Sequence, residues 1–254
     1  MLLVNEGLAE SPFIVPLGGK PGPYSEALWR KDWPGCEWED GVAQGRASLV
    51  DHGGRNWLRI NYNVGQIGPD KGGCAWRWPI GKHDSAELRY TVWFSKDFDW
   101  VKGGKLPGLC GGPDNVSGGI PSTGTNGFSA RLMWRKDGRG EVYVYHKNQA
   151  SNYGDSFSFP ADFRIPSDKP VHVHIAVTMN SLGKRNGILR VGVAFGDAKE
   201  ELMIERKDME WRVVDTFGVD SLCFETFHGG GDSSWAPMRK CWADFIDIKV
   251  DGRK

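Results

Sequence analysis

Around residue 137 apolar and polar side chains alternate with a period of two. Ala130, Leu132 and Trp134 are apolar, as are Val142 and Val144, while Ser129, Arg131, Tyr143 and Tyr145 occupy the positions between. Along a β-strand residues i and i+2 share a face, so the spacing predicts two strands with an apolar side and a polar side. Both apolar sets must enter one core, so even positions have to pair with even ones across the hairpin. That register needs a loop of three or five residues in Lys136-Asp137-Gly138-Arg139-Gly140, rather than the two-residue turn that Asp-Gly alone suggests. Ser129, Arg131, Tyr143 and Tyr145 then converge on one exposed face.

The same reading along the chain predicts strands over 57–63, 74–78, 86–95, 128–135, 141–147, 171–179, 188–196, 221–228 and 242–250. Residues 171–177, Val-His-Val-His-Ile-Ala-Val, alternate as a half-buried strand should. Helix is expected only as short turns near 26–31 or 198–203. Residues 1–25 read as an extended lead-in, and 102–127 and 228–238 as long Gly-rich loops. With no internal repeat and no linker, the expectation is all-β: one jelly-roll sandwich of antiparallel sheets filling residues 1–254.

Composition narrows the function classes. The chain of 254 residues carries 32 basic and 32 acidic residues, so its overall field draws neither nucleic acid nor an anionic membrane. Locally the balance breaks: between Lys102 and Lys147 there are seven basic and three acidic residues, which suits a polyanion. The twelve Trp provide sugar-stacking surface as well as core. Five Cys without a C-x-x-C pair make a structural zinc site unexpected; the odd count leaves at least one thiol free, and no disulfide follows from spacing. Met1–Glu6 lacks the basic region and apolar run of a signal peptide.

Several groups have plain structural readings. His172 and His174 share a strand face but lack a third ligand of usable spacing, so a solvent-facing or hydrogen-bonded pair is expected rather than a metal site. Glu225, His228 and Asp232 lie in or beside the loop Gly229-Gly230-Gly231, which reads as a lid over a cleft rather than a metal loop. Asn115-Val116-Ser117 fits a glycosylation acceptor. G-x-S-x-G, H-E-x-x-H and phosphate-loop motifs are absent, and the polar strands offer only Glu141 toward a two-carboxylate hydrolysis.

The Ser/Arg/Tyr/Tyr patch suits β-elimination from a polyuronate instead. That reaction removes the C5 proton beside a carboxylate and expels the C4 oxygen, which calls for a carboxylate clamp, a base and an acid. The fork of Arg131 matches a carboxylate, and a Tyr near two cations is expected to ionise more easily, so that Tyr143 or Tyr145 can serve as base, acid or both. No metal or organic cofactor is required.

The run Trp100-Val101-Lys102-Gly103-Gly104-Lys105-Leu106-Pro107-Gly108 joins Phe128-Ser129-Ala130-Arg131 and Tyr143-Val144-Tyr145 in a pattern that resembles polysaccharide lyase family 14. That family holds alginate and glucuronic-acid-cleaving lyases of algal viruses and marine molluscs, with relatives in fungi. The likeness is sharpest over 90–147, looser through Phe227–Gly230 and Trp235-Ala236-Pro237, and slight over the first 55 residues. It implies a jelly roll and a catalytic set of Lys105, Ser129, Arg131, Tyr143 and Tyr145, with Lys102, three residues away, as the alternative lysine. Arg131 and Ser129 would hold the carboxylate, Lys105 would serve as base or charge stabiliser, and a Tyr would serve the leaving oxygen. Lys102, Arg135, Lys147 and His228 are the expected substrate contacts around that set. The partner is an acidic polysaccharide, met by a monomer outside the cell. The readings set against it are a non-catalytic binding module for acidic polysaccharide and a glycosidase using Glu225 or Asp232.

Overall fold

The computed structural model describes residues 12–253; Met1–Glu6, read above for a leader, lies outside them. In chain order the strands are β1 (Phe13–Ile14), β2 (Gly22–Pro23), β3 (Glu39–Asp40), β4 (Ala47–His52), β5 (Arg55–Tyr62), β6 (Cys74–His83), β7 (Ser85–Phe94) and β8 (Gly103–Gly111). The second half adds β9 (Phe128–Arg135), β10 (Gly140–Tyr145), β11 (Asp155–Ser158), β12 (Val171–Thr178), β13 (Gly187–Phe195), β14 (Glu201–Met209), β15 (Val219–His228) and β16 (Cys241–Arg253).

All pairings are antiparallel. One sheet runs β14-β13-β12-β7-β16-β5-β4-β2, with β1 on β16; the other runs β11-β10-β9-β8-β15-β6-β3. The sheets face each other across one core, as the jelly-roll expectation requires. Trp76 stacks on Phe224 at 4.3 Å, and Phe94, Phe98 and Trp134 interlock edge to face. Burying each such side chain contributes about 1.5–3 kcal/mol. The lead-in past residue 11 is not free, because Phe13 pairs with Val250 and Gly22 with Leu49.

The β9–β10 hairpin has the odd loop its pattern demands. Leu132 pairs with Val142 and Ala130 with Val144, and the Arg135 amide donates to the Arg139 carbonyl at 2.7 Å across Lys136–Gly138. Asp137 and Gly138 both take positive φ, 60° and 73°, so the Asp-Gly pair turns the chain inside a three-residue loop.

Two expectations need correction. The first part of the expected Gly-rich loop 102–127 is strand β8, and its glycines are packing sites. A Cβ on Gly108 would stand 2.1 Å from the Ala130 carbonyl, and one on Gly104 2.1 Å from the Trp134 ring. A bulge between Lys105 and Gly108 lets Leu106 and Leu109, three apart, both enter the core. The turn expected near 198–203 gives way at Glu201 to edge strand β14, which pairs with β13. Charged Arg206, Lys207 and Asp208 blunt that edge. The other helical expectation holds as helix α1 (Glu26–Asp32). Ser25 caps it by accepting from the Leu28 amide, Arg30 and Lys31 occupy its last turn, and Pro34 follows.

Candidate active site

The polar face of the seven-stranded sheet lies under a cleft of about 800 Å³. Lys105 of β8, Met133 and Arg135 of β9, Tyr143 and Tyr145 of β10, and Glu225 and Phe227 of β15 line it. Loops build the walls: Asn115, Ser117 and Ile120 on one side, Tyr153 on another, and Gly229–Gly231 with Trp235 on a third. The loop after β15 thus stands where a lid was expected. Trp38, Ile120 and Tyr153 expose apolar surface on this rim, as sugar faces require.

Beneath the cleft the structure brings together the predicted Ser129, Arg131, Tyr143 and Tyr145, though not on an open patch. Arg131 has no exposure, and its guanidinium pairs with Glu225. It also donates to Ser117 Oγ at 2.9 Å and to Ser129 Oγ at 3.2 Å. Ser129 in turn donates to the Val116 carbonyl at 2.8 Å. This pair is therefore the buried base of the site, with its hydrogen bonds already committed. Removing one member of such an ion pair strands the other in low dielectric.

Lys105 and Tyr143 are the partly accessible groups. The Lys105 ammonium sits 4.6 Å from the centre of the Tyr143 ring, and the Tyr143 and Tyr145 rings meet edge to face at 5.4 Å. Backbone amides fix both phenols, Gly154 N–H donating to Tyr143 Oη and Gly119 N–H to Tyr145 Oη, each at 3.1 Å. Burial, then the nearby Arg131 charge, holds the Lys105 ammonium well below its ordinary 10.5, against an opposing pull from Glu225. Tyr143 moves the other way: burial and its contact with Tyr145 raise it well above 10.0, and Arg131 only partly offsets this. The expectation of an easily ionised tyrosine is thus reversed at Tyr143, because desolvation outweighs the cations.

The expected substrate contacts divide. Arg135 lines the cleft while pairing with Glu141 at 2.7 Å. Lys102 lies outside it, in an adjoining hollow shared with Arg135, and donates to Ser234 Oγ. Lys147 is not on the cleft; its stem packs near Gly124 beside Val213. His228 is a core residue with no exposure, stacked on Phe98 at 5.5 Å, and its Nε2 contacts the Asp99 carbonyl at 2.6 Å. Burial pushes its imidazole down to about 4. The parity rule explains this: Glu225 faces the cleft, so His228, three residues on, faces the core.

Other readings resolve on geometry. His172 bonds Thr91 Oγ1 at 2.8 Å and His174 bonds Glu200 at 2.9 Å, as expected of a hydrogen-bonded pair. Among the described residues no three His, Cys, Asp or Glu side chains are grouped to hold a metal ion. Asp232 caps the Ser233–Trp235 turn and Glu225 is tied to Arg131, so neither is placed as a hydrolytic pair. Asn115 borders the cleft, where a glycan would obstruct it. Cys110 and Cys223 form a disulfide between β8 and β15, and Cys36, Cys74 and Cys241 are buried thiols. Sequence reasoning missed Ser117 and the structural role of Glu225; only strand parity in β15 pointed to the latter.

Comparisons with known proteins place the family and the fold. The family model described as Polysaccharide lyase 14 matches residues 50–248. No curated protein sequence matches. Among solved structures, the alginate lyase Aly36B is 25% identical, with a TM-score of 0.82, over 97% of this chain and 98% of its own. An alginate lyase of the same family from the mollusc Aplysia kurodai is 27% identical, with a TM-score of 0.78, over 88% and 93%. The alginate lyase vAL-1 from Chlorella virus, 21% identical at a TM-score of 0.70 over 85% and 92%, shares the fold. The chain belongs to the polysaccharide lyase 14 family and is a polysaccharide lyase.

Proposed function

We propose that the protein cleaves alginate by β-elimination, with Lys105 as base and Tyr143 as acid. The observation that carries this is the opposed shift of two neighbouring groups, an amine held below its ordinary range beside a phenol held above its own. An amine that loses its proton easily accepts the C5 proton, and a phenol that keeps its proton has one to give. The C5–H electrons form the C4=C5 double bond, the C4–O bond breaks, and the leaving oxygen takes the Tyr143 proton. Tyr145, pinned by Gly119, supports Tyr143 edge on.

The substrate carboxylate meets Ser117 in this reading rather than Arg131 directly. Ser117 Oγ accepts from Arg131, which leaves its own proton free to donate into the cleft. The buried guanidinium thus acts through a hydroxyl as charge builds on the carboxylate. Alginate is the substrate named for Aly36B, a variant of which holds an alginate tetrasaccharide, and for the Aplysia enzyme. The cleft is complete within one chain, which supports action as a monomer. The Cys110–Cys223 disulfide supports work in an oxidising, extracellular setting.

Near-ultraviolet absorbance of alginate incubated with the protein tests the reading. A rise reports the C4=C5 bond that elimination makes. New reducing ends without that rise would mean hydrolysis, and retention of alginate without new ends would mean a binding module.

A further inference from the structure

Beside the catalytic cleft lies a second hollow of about 430 Å³, between the β9–β10 hairpin and the segment 158–164. Five cations line it, Lys102, Arg135, Lys136, Arg139 and Arg164, against the single carboxylate of Glu141. Glu141 is already taken by Arg135 at 2.7 Å. Among the described residues Lys102, Lys136, Arg139 and Arg164 have no carboxylate within salt-bridge reach. Asp137 and Asp162 are close in sequence, yet neither lines the hollow.

The hollow is built rather than a chance cluster of solvated side chains. The Arg164 guanidinium donates to the Ala161 and Phe163 carbonyls at 2.7 and 2.6 Å, which sets its direction. Phe159 packs against Gly140, where a Cβ would stand 2.4 Å from the ring, and gives the floor an apolar surface. Arg135 lines both hollows, and the centre of the Trp235 ring is 5.8 Å from both the Lys102 ammonium and the Arg135 guanidinium. With Arg135 on both, the cleft and the basic hollow adjoin. Tyr143 lies four positions along the extended chain from Arg139, about 13 Å at the usual rise.

We propose that this hollow is an anion-binding extension of the cleft, in which Lys136, Arg139 and Arg164 take carboxylates of the polymer remote from the bond being cut. The inference rests on the polyuronate reading of the cleft and adds a second place where the polymer is held. On a molecule of zero formal net charge, such a cluster both anchors the chain and directs it along the groove.

The test replaces Lys136, Arg139 and Arg164 together by Ser, with Lys136→Arg, Arg139→Lys and Arg164→Lys as the charge-preserving control. The expected result at low salt is a KM for polymeric alginate raised about fivefold, from three contacts each worth a fraction of a kcal/mol. The turnover number, and all constants for an alginate trisaccharide, stay unchanged. The salt dependence of the polymer KM flattens, and the control behaves as wild type. An unchanged polymer KM overturns the proposal, as does an equal rise for the trisaccharide. Retention on immobilised alginate separates the two readings. If the wild type makes no double bonds but is retained, and the Ser variant is not, the elimination reading fails while the extension stands. Equal retention of both proteins, or none by either, overturns the extension.

Discussion

At the scale of the residue, the account turns on what burial does to Lys105 and Tyr143. The base must be neutral, so activity rises with pH through the Lys105 value, which lies well below 10.5. The acid must be protonated, so activity falls only as pH passes the Tyr143 value, well above 10.0. We predict a pH profile of kcat/KM that reaches its plateau below pH 10.5 and has no descending limb near pH 10. A descending limb at neutral pH would reverse the assignment of the two groups. His228 shows the same physics in a structural role. Its imidazole is depressed from 6.5 to about 4, so the stability it contributes is complete above pH 6.5. That stability drains as pH falls toward 4, by about 3 kcal/mol. Thermal unfolding should show a Tm falling across that window, and His228→Gln should shrink the fall. An identical acid limb in the variant would remove His228 from the account.

At the scale of the element, β8 shows how the chain positions Lys105, the proposed base. The bulge after Lys105 sends Leu106 and Leu109 inward and leaves Lys105 on the cleft face, and this depends on Gly108 passing flush against β9. Gly108→Ala should cost about 1–3 kcal/mol by overpacking and should lower activity by more than stability alone explains, because Lys105 moves with the strand. Unfolding and turnover, measured on the same preparation, check this; wild-type values for both would contradict it. The β9–β10 hairpin was legible because its alternation is strict: parity alone supplied the odd loop, the pairing and the shared face of Ser129, Arg131, Tyr143 and Tyr145. Strand β8 was not, since glycines that mark turns elsewhere serve here as close approaches that only tertiary packing reveals. His228 was misplaced because it closes the expected strand 221–228 and opens the expected loop 228–238, and the structure keeps it in the strand with its ring in the core. The buried state of Arg131 was illegible as well, because its partner Glu225 lies 94 residues away.

At the scale of the whole molecule, the two sheets supply a rigid floor and the loops supply walls. The floor is stapled where it matters. Cys110 and Cys223, 113 residues apart in sequence, join β8 and β15, the strands that carry Lys105 and Glu225. Reduction of a bridge closing so long a loop should cost about 2–5 kcal/mol, seen as a lower Tm under reductant; an unmoved Tm would mean that the bridge contributes nothing. The central claim is that one cleft performs elimination through Lys105 and Tyr143. Its most direct test is the rate of near-ultraviolet absorbance gain on alginate for the wild type, Lys105→Ala and Tyr143→Phe, each confirmed folded by its thermal transition. The account predicts a steady rise for the wild type and a loss of about 10²–10⁴-fold in either variant, the usual worth of a positioned acid or base. A wild-type rate in either variant would contradict it.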